Sequence, residues 1–454
     1  MVDAARLLIG GVSSGVGKTT FTVGLCRALM RRGLTVQIFK CGPDYLDPSY
    51  HRKASGAVVH NLDSWLMGPD AVRTTFVRNA ARADISLIEG VMGLFDGASP
   101  TDLTGSSAEV AQLIGAPIVL LCDASGMARS LSAVVKGFCS FEPGIAPRAV
   151  IANRVGSEGH LSLLQRAQLT EAPVLGGLLK REAISFAERH LGLVAAQEGD
   201  HEASFEAWAD EVEAHCDVPA LLALARSAPA LPAPHSDAPK ITARCRIGIA
   251  RDAAFHFYYD ENLRLLEAAG AELVELSPIS DRALPDVDGV YIGGGYPELH
   301  AEALAANSAM REALQAHARA GKPIYGECGG LMYMADAIVD LQGHTHPMLG
   351  LIPGTAVMQT KLQALGYVEV SARAASPLGA AGTRYRGHQF RYSILEGATP
   401  SQLDLTVKRT SAEQLEGYGA ENILGSYVHA HWASNPKIAE AFVHVCHARS
   451  SLPR

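Results

Sequence analysis

Short apolar runs alternate with amphipathic stretches along most of the chain. The apolar runs cover residues 7–11, 35–39, 85–90, 117–124 and 149–155 in the first half, and 246–250, 272–276, 289–295 and 322–327 in the second. Runs of this length between helical stretches are typical of buried parallel strands. The pattern therefore predicts two doubly wound α/β domains.

A proline-rich segment separates the two halves. Residues 227–243, SAPALPAPHSDAPKITA, contain four prolines and no apolar periodicity, which predicts a semi-rigid linker. We therefore predict a first domain over residues 1–226 and a second domain over residues 244–454. Residues 345–420 have a weaker pattern, from which we expect an antiparallel extension of the second domain.

Composition and charge narrow the class of protein. The 454 residues include eight cysteines, none of them in a C-x-x-C pair, and the formal net charge is −8. This acidic balance argues against a nucleic-acid-binding surface, and the cysteine spacing predicts neither a zinc ribbon nor a disulfide framework. The N-terminus is unlike a secretory signal, and the most apolar stretch is shorter than the about 20 residues that a membrane span needs. We therefore expect a cytoplasmic protein without a nucleic-acid or membrane partner.

A glycine-rich turn in the first half has the pattern of a phosphate-binding loop. LLIGGVSSGVGKTT follows a predicted strand and precedes a helix with apolar periodicity. The loop is one residue longer than the strict G-x-x-x-x-G-K-[ST] pattern, because its first glycine is Gly11. Backbone N–H groups of such a loop bind phosphate oxygens. Lys18 would neutralise the β- and γ-phosphates of a nucleotide, and the Thr19 hydroxyl would ligate Mg²⁺.

Acidic residues follow two further predicted strands. KCGPDYLDPSYH carries Asp44 and Asp47, and IEGVMGLFDG carries Glu89 and Asp96. The carboxyl ends of parallel strands collect the ligands of an open α/β sheet, so both segments should emerge at the phosphate loop. Carboxylates there can hold Mg²⁺ between nucleotide and acceptor. For any single one of them, a helix cap or a solvated loop acid is an equally good interpretation.

The second half contains a candidate nucleophile. In KPIYGECGGLMYM a strand turns sharply into a helix at Cys328, and the surrounding glycines permit the strained turn. The N-terminus of that helix favours a thiolate. The late segment GSYVHAHWASNP offers His429 as a base, and the amides of Gly294, Gly295 and Gly329 are candidate donors to an oxyanion.

Together these sites indicate a division of labour. A cysteine hydrolase can release ammonia from glutamine through a thioester, and ATP can activate a carboxylate as an acyl phosphate that ammonia attacks. With these two sites in this order, the chain resembles a known family, the cobyrinate a,c-diamide synthases, which include the hydrogenobyrinate enzymes. The motifs that carry the resemblance, in this order, are SSGVGKTT, KCGPDYLDP, EGVMGLFDG, GGGYPELH, GECGGLMYM and GSYVHAHWASNP. The resemblance runs nearly end to end.

The resemblance implies a dethiobiotin-synthetase-like P-loop domain followed by a class I glutamine amidotransferase-like domain. It implies amidation of the a and c acetate side chains of a corrinoid polycarboxylate, with ATP, glutamine and Mg²⁺. It implies a triphosphate site made of Gly15, Val16, Gly17, Lys18, Thr19 and Thr20. Its other implied roles are Mg²⁺ ligands at Asp47 and Glu89 (with Thr19), acceptor-side carboxylates at Asp44 and Asp96, corrinoid contacts at Tyr45 and Leu46, an adenine contact at Asn153, and a glutaminase pair of Cys328 and His429.

Some positions depart from wider patterns. Many class I glutaminases have a glutamate where this chain has His431, a replacement that the diamide synthases share, so the third member of a triad stays open. In GHQFRYS the family usually has an acid at the position of Gln389 and a histidine at that of Arg391. These differences leave any polar role of His388 open.

The sequence leaves three classes of function open. The first is the corrinoid diamide synthase, and the second is a related amidotransferase, either cobyric acid synthase or the enzyme that amidates nickel-sirohydrochlorin. The third is a partitioning-type P-loop ATPase. Such ATPases carry a lysine early in the loop, where this chain has Ser13, and commonly a membrane or DNA anchor. The oligomeric state also stays open, and a homodimer is one hypothesis.

Overall fold

The structure is a computed structural model in which residues 2–167, 171–180, 199, 201–233 and 242–450 are described. The chain divides into two compact units, Met1–Asp237 and Ala238–Arg454. Residues 234–241 of the predicted linker lie outside the described residues. Residues 227–233 belong to the first unit, where Leu231 and Val2 exchange backbone hydrogen bonds of 2.7 and 2.9 Å.

A parallel sheet forms the centre of the first unit. Its strands are β1 (Arg6–Gly11), β2 (Val36–Cys41), β3 (His60–Leu62), β4 (Ile85–Glu89), β5 (Ile118–Asp123), β6 (Ala149–Val155) and β7 (Val174–Leu179). Among the described residues the strand order is β3-β2-β4-β1-β5-β6-β7. The helices of this unit are α1 (Lys18–Arg31), α2 (Leu46–Ser55), α3 (Ser64–Met67), α4 (Pro69–Ala80), α5 (Ser107–Ile114), α6 (Ser130–Ser140), α7 (Glu158–Arg166), α8 (Glu202–His215) and α9 (Val218–Arg226).

The second unit combines a mostly parallel sheet with two smaller sheets. Its strands are β8 (Cys245–Ala250), β9 (Ala271–Leu276), β10 (Gly289–Ile292), β11 (Ile324–Glu327), β12 (Ala335–Val339), β13 (Thr345–Pro347), β14 (Ile352–Met358), β15 (Ala364–Ala372), β16 (Arg384–Arg391), β17 (Ser393–Glu396), β18 (Leu403–Val407), β19 (Glu413–Glu416), β20 (Tyr418–Ala420), β21 (Ile423–Ser426) and β22 (His429–His431). Its helices are α10 (Asp260–Ala268), α11 (Ala301–Ala306), α12 (Ser308–Arg319), α13 (Gly329–Met334) and α14 (Lys437–Ser450), with 3-10 turns at Pro297–His300 and Trp432–Ser434.

The sheet order of the second unit brings β21, late in the chain, next to β11. The central sheet has the order β20-β21-β11-β10-β8-β9, in which β20 alone is antiparallel among the described strands. The smaller sheets have the orders β13-β12-β14-β17 and β19-β18-β15-β16-β22. Because β22 pairs with β16, residues 386–388 lie beside residues 429–431.

The predicted α/β class is confirmed, and each of the nine predicted apolar runs overlaps a strand. Strands β1, β2 and β4 are buried along their whole length, which explains why most of their residues are apolar. The antiparallel extension is also confirmed, since β15 pairs antiparallel with β16. The sequence pattern does not predict β3 or β7. Strand β3 has only three residues, HNL, and β7 contains two glycines.

Candidate active sites

The candidate phosphate loop lies between β1 and α1. Gly15 and Gly17 have φ angles of 73° and 90°, in the left-handed region that residues with a Cβ atom rarely adopt. Val16 is buried, and Thr20 is half-buried in the first turn of α1. Helix α1 begins at Lys18, and the first N–H groups of a helix have no partners within it. Such amides are a ready site for phosphate oxygens.

The side chain of Lys18 is buried and bonded to two backbone carbonyls. Its Nζ donates to Ser13 O at 3.2 Å and to Met92 O at 2.6 Å. Burial lowers the pKa of Lys18, and the nearby Lys40 ammonium lowers it further. The loop lysine therefore contacts the segment after β4, as the strand-end argument predicts.

Glu89, the last residue of β4, is fully buried at the first turn of α1. Thr19 Oγ1 donates to Glu89 Oε1 at 2.9 Å, which brings together two of the predicted Mg²⁺ ligands. Lys40 Nζ donates to the same oxygen at 2.8 Å, and His51 Nε2 lies 2.8 Å from Glu89 Oε2. Burial alone would raise the pKa of Glu89, but the Lys40 ammonium and His51 hold it well below its usual range. Glu89 is therefore ionised at neutral pH.

Lys40 is a buried cation that the sequence patterns do not single out. Its Nζ lies 2.6 Å from Asp47 Oδ2 and 3.8 Å from Asp44 Oδ2, in addition to its bond with Glu89. Burial opposes the charge on Lys40, yet Asp47 and Glu89 raise its pKa well above the ordinary value. Burial and the adjacent Asp44 raise the pKa of Asp47. Two signals could have identified Lys40: its position near the end of β2, and its place as the first residue of the motif KCGPDYLDP.

Asp44 and Asp96 each bond to nearby backbone amides. Asp44 Oδ1 accepts from Leu46 N at 2.8 Å and from Asp47 N at 3.1 Å, as a helix cap does. Asp96 Oδ2 accepts from Gly93 N at 2.8 Å, while the residue itself is exposed. Each carboxylate keeps a second oxygen, so a cap and a role toward an acceptor are compatible. Two predicted corrinoid contacts, at the start of α2, are half-buried: Tyr45 and Leu46.

The end of β6 contacts the phosphate loop. Asn153 Nδ2 donates to Val16 O at 2.7 Å. Arg154, with φ at 55°, donates from Nη2 to Gly15 O at 2.8 Å and from Nη1 to Asp123 Oδ2 at 2.5 Å. The adenine contact expected of Asn153 stays a prediction. The sequence patterns miss Arg154 because its partner Asp123 ends a different strand.

The oxygen ligands at these strand ends fit Mg²⁺ chemically. Within the described ranges, no three His, Cys, Asp or Glu side chains form a ready metal cluster. Mg²⁺ does not need one, because it commonly takes one or two carboxylates together with substrate phosphates and water. Thr19 and Glu89 are hydrogen-bonded to each other, and Asp47 forms an ion pair with Lys40, which also contacts Glu89. All three residues supply hard oxygen donors of this kind.

The candidate nucleophile Cys328 lies between β11 and α13. Its φ angle of 48° is unusual for a residue with a side chain, and its N–H donates to Ser426 O at 2.7 Å. The thiol Sγ lies 3.9 Å from Phe390 O. Burial raises the pKa of Cys328 to about 12, Glu298 raises it further and Arg391 opposes the shift. Helix α13 has only six residues, and burial opposes the thiolate that its N-terminus would favour.

The glycine turn after β10 lies against the nucleophile segment. A Cβ atom added to Gly329 would lie 3.1 Å from Gly295 N and 2.9 Å from Pro297 Cδ, so this approach requires glycine. Gly295 has φ at 154°. The N–H of Gly294 already donates to Phe257 O at 3.3 Å, which reduces its availability to an oxyanion. Gly295 and Gly329 are therefore the better-placed pair of the three predicted donors.

His429 lies in β22 with its ring stacked on His388 of β16. The ring centroids are 4.9 Å apart at 18°, and Tyr259 OH lies 3.0 Å from His388 Nδ1. A Cβ atom added to Gly294 would be 2.5 Å from His429 Cε1, so His429 borders the same glycine turn as Gly329. Burial lowers the pKa of His429 to about 3, so its imidazole is neutral at neutral pH.

His431 does not occupy the role of a triad acid. Its ring centroid lies 4.4 Å from that of Tyr259, and burial lowers its pKa to about 4. Neither ring nitrogen has a hydrogen-bond partner within the described part of the chain. The ring in contact with His429 is His388, a residue whose role the sequence left open.

Comparisons with known proteins agree with this two-part arrangement. A family model described as a CobQ/CobB/MinD/ParA nucleotide binding domain matches residues 7–194, and one described as a CobB/CobQ-like glutamine amidotransferase domain matches residues 246–437. The chain is 49% identical over 450 residues to a cobyrinate a,c-diamide synthase of Leptospira interrogans, which covers 98% of this chain and 99% of the relative. The chain belongs to the cobyrinate a,c-diamide synthase family. A cobyrinate a,c-diamide synthase of Syntrophotalea carbinolica is 46% identical over 460 residues, covering 99% of this chain and 100% of the relative.

Membership of the cobyrinate a,c-diamide synthase family makes the chain a glutamine-hydrolysing ligase with a nucleotide-binding domain. Another diamide synthase, from Priestia megaterium, is 42% identical over 449 residues, or 98% of this chain and 97% of the relative. No described helix is both long and apolar enough to cross a membrane.

Two charged residues beside Cys328 are not assigned by the motifs of the diamide synthase family. The Arg391 guanidinium lies 4.4 Å from the ring centroid of Tyr427, and its Nη1 donates to Ser393 O at 2.6 Å. Burial raises the pKa of Glu298 to about 7. Both act electrostatically on Cys328, with opposite signs. The neighbouring Gln389 is buried, so it is packed within the unit rather than presented to solvent.

Proposed function

We propose that this protein amidates the a and c acetate carboxylates of cobyrinate or hydrogenobyrinate in cobalamin biosynthesis, using ATP and glutamine. The observation that carries the proposal is identity of 41–49% to proteins named cobyrinate a,c-diamide synthase over nearly their full length. The two candidate sites support it, since one has the groups for carboxylate activation and the other has the groups for glutamine hydrolysis. We assign the synthetase domain to residues 1–226, the glutaminase domain to residues 244–454 and the linker to residues 227–243, of which 227–233 pack with the first unit.

In the proposed glutaminase reaction, Cys328 Sγ attacks the side-chain carbonyl carbon of glutamine. The thiol proton passes to the neutral His429 as the carbon–sulfur bond forms, because a free thiolate is disfavoured by burial. The amides of Gly295 and Gly329 donate to the developing oxyanion. The carbon–nitrogen bond then breaks, and ammonia leaves with the proton from His429. Water hydrolyses the remaining thioester to glutamate and restores the thiol.

In the proposed synthetase reaction, an acetate oxygen of the corrinoid attacks the γ-phosphorus of ATP, and ADP leaves. Lys18 and the loop amides hold the phosphates, and Asp44 and Asp96 lie on the acceptor side. Ammonia attacks the acyl phosphate, the amide forms and phosphate leaves. Bound Mg²⁺ would neutralise charge on the phosphates, held by Thr19, Glu89 and Asp47.

We also propose that the enzyme acts in the cytoplasm. All eight cysteines of the chain are free, as is usual for proteins of a reducing compartment. A homodimer is a further proposal, and sedimentation velocity at several protein concentrations would test it. Neither proposed half-reaction uses a residue from a second copy.

The decisive experiment compares acceptors. The protein is incubated with ATP, Mg²⁺ and glutamine, and in parallel with cobyrinate, hydrogenobyrinate or nickel-sirohydrochlorin. Mass spectrometry then reports which acceptor gains two amide groups. We expect this for cobyrinate or hydrogenobyrinate. Two amides on nickel-sirohydrochlorin alone would replace the proposed acceptor, and no amidation of any acceptor would contradict the proposed function.

A further inference from the structure

Three phenylalanines of the first unit form an exposed cluster, which we call the aromatic trio: Phe95, Phe138 and Phe141. The rings of Phe95 and Phe138 are stacked, with centroids 5.6 Å apart at 23°, and Phe141 lies 5.0 Å from Phe95. Phe141 is 69% exposed, and the other two are half-buried. Isolated exposed apolar residues are common on proteins, but a contiguous aromatic patch is typical of a binding surface.

The aromatic trio is continuous with the candidate ATP site. Phe95 lies between Leu94, which is fully buried in the unit, and Asp96, which is exposed. In the same loop, the N–H of Gly93, two residues before Phe95, donates to the Asp96 carboxylate. Met92, which is 38% exposed, accepts the bond from Lys18. One short loop therefore connects the phosphate-binding lysine, an acceptor-side carboxylate and the first ring of the trio.

The second and third rings come from a different element. Phe138 lies in the last turns of α6, and Phe141 follows the end of that helix. They are three positions apart, which places them on the same side of a helical turn. The loop after β4 and the end of α6 therefore build one aromatic surface from two segments that are about 40 residues apart in sequence.

The charge of the site limits how an acceptor can bind there. The proposed acceptor carries many carboxylates on its edge, and the site contains Asp44, Asp47, Glu89 and Asp96 against the cations Lys18 and Lys40. Electrostatic attraction alone is therefore a weak source of affinity. The faces of a tetrapyrrole macrocycle are broad and apolar, and aromatic side chains pack against such faces.

We propose that the aromatic trio binds one face of the acceptor macrocycle and thereby brings its peripheral acetates to the ATP site. This proposal rests on the proposed function, because it takes a tetrapyrrole as the acceptor. The occupant is the macrocycle, and the competing occupant, a second copy of this chain, is an outcome of the test below.

The test uses Phe141→Ala, Phe138→Ala and the double variant, with Phe141→Tyr as the conservative variant. Leu163→Ala is the matched control, since Leu163 is 43% exposed on α7 of the same unit. Amide formation is measured with ammonium as the nitrogen source, so that the glutaminase site does not contribute. Cobyrinate is varied at saturating ATP, and ATP is varied at saturating cobyrinate.

We expect the double variant to raise the KM for cobyrinate by about tenfold, which corresponds to about 1.4 kcal/mol. The KM for ATP should not change in any of these variants. Phe141→Tyr should retain most of the affinity for cobyrinate, and Leu163→Ala should have the wild-type KM for cobyrinate. Unchanged cobyrinate KM in the double variant would overturn the proposal. So would a dimer in the wild type that dissociates in Phe141→Ala by sedimentation velocity, with cobyrinate KM unaltered.

Equilibrium dialysis with cobyrinate separates this proposal from the proposed function. If the wild type binds cobyrinate about tenfold more tightly than the double variant but amidates no acceptor, the trio is a macrocycle site and the proposed reaction is wrong. If the wild type amidates cobyrinate and both proteins bind it equally, the reaction stands and the trio proposal is wrong.

Discussion

At the scale of single residues, the least expected feature is the position of Lys40. Its ammonium lies among Asp44, Asp47 and Glu89, and it is only 2% exposed. A buried cation of this kind holds carboxylates in place and keeps Glu89 ionised next to Thr19. Lys40 therefore positions the oxygens that we propose as Mg²⁺ ligands.

We expect Lys40→Ala to reduce ammonium-dependent amide formation by about 10- to 100-fold, because the carboxylates lose the cation that orients them. The same change leaves a buried carboxylate without its partner and should lower the free energy of unfolding by about 3–5 kcal/mol. Both effects are measured against Lys53→Ala, which removes an exposed lysine of α2. Wild-type activity in Lys40→Ala would show that the carboxylates do not depend on Lys40.

A second residue-scale prediction concerns the protonation of Cys328. With a cysteine pKa of about 12 and a histidine pKa of about 3, the resting pair is a neutral thiol and a neutral imidazole at neutral pH. Below the thiol pKa, the thiolate fraction rises about tenfold for each pH unit. Alkylation of Cys328 by iodoacetamide should therefore accelerate steadily from pH 7 to pH 10.

The rate is obtained by mass spectrometry of the peptide that contains Cys328, so the other seven cysteines do not interfere. Arg391→Ala should slow alkylation at each pH, because Arg391 opposes the rise in the Cys328 pKa. A rate that is constant between pH 6 and pH 8 would indicate a thiolate–imidazolium pair instead.

At the scale of elements, the P-loop helix α1 is held by α8. Arg27 and Arg31 of α1, and Arg32 directly after it, form ion pairs with acids of α8, which are Glu202, Glu206, Asp210 and Glu213. The two helices approach so closely that a Cβ atom at Gly24 would lie 2.7 Å from Trp208 O. The backbone contact needs a glycine, whereas each exposed ion pair contributes little by itself.

Gly24→Ala should therefore destabilise the protein by about 1–3 kcal/mol, since the added methyl group meets backbone that cannot move aside easily. Gly137→Ala is the matched control, because Gly137 lies within α6 with open space around it. There the helix propensity of alanine should stabilise by up to about 1 kcal/mol. Urea unfolding of both variants measures the difference, and equal stabilities would contradict the close packing of α1 on α8.

The elements differ in how far the sequence determines them. The nine apolar runs and the two glycine-rich turns can be predicted from short stretches of sequence, because buried strands need apolar residues and left-handed backbone favours glycine. The packing of α8 on α1 cannot be predicted from a local pattern, since its contacts join residues about 175 positions apart. The neighbours of His429 are equally remote, because His388 meets it only through the pairing of β16 with β22.

At the scale of the whole molecule, the proposed division of labour predicts separable losses. Cys328→Ser should abolish glutamine-dependent amide formation and leave turnover with added ammonium, because the nucleophile serves only ammonia release. Cys139→Ser, which changes another free and partly buried cysteine, is the control. Loss of both activities in Cys328→Ser would contradict independent half-reactions.

The converse variant removes the phosphate-binding lysine. Lys18→Ala should abolish amide formation with either nitrogen source, because the charge that Lys18 places at the phosphates is lost. Glutaminase activity, followed as glutamate release, should persist in part. Amide formation with ammonium at the wild-type rate would exclude Lys18 from the synthetase reaction.

The neutral resting thiol of Cys328 also has a consequence for the lifetime of the enzyme. Peroxides oxidise thiolates far faster than thiols, and the first product, a sulfenic acid, can proceed to irreversible forms. Since burial keeps Cys328 protonated at rest, we expect the nucleophile to resist peroxide between turnovers. The enzyme can thus keep its nucleophile in a less reactive, protonated state while no glutamine is bound.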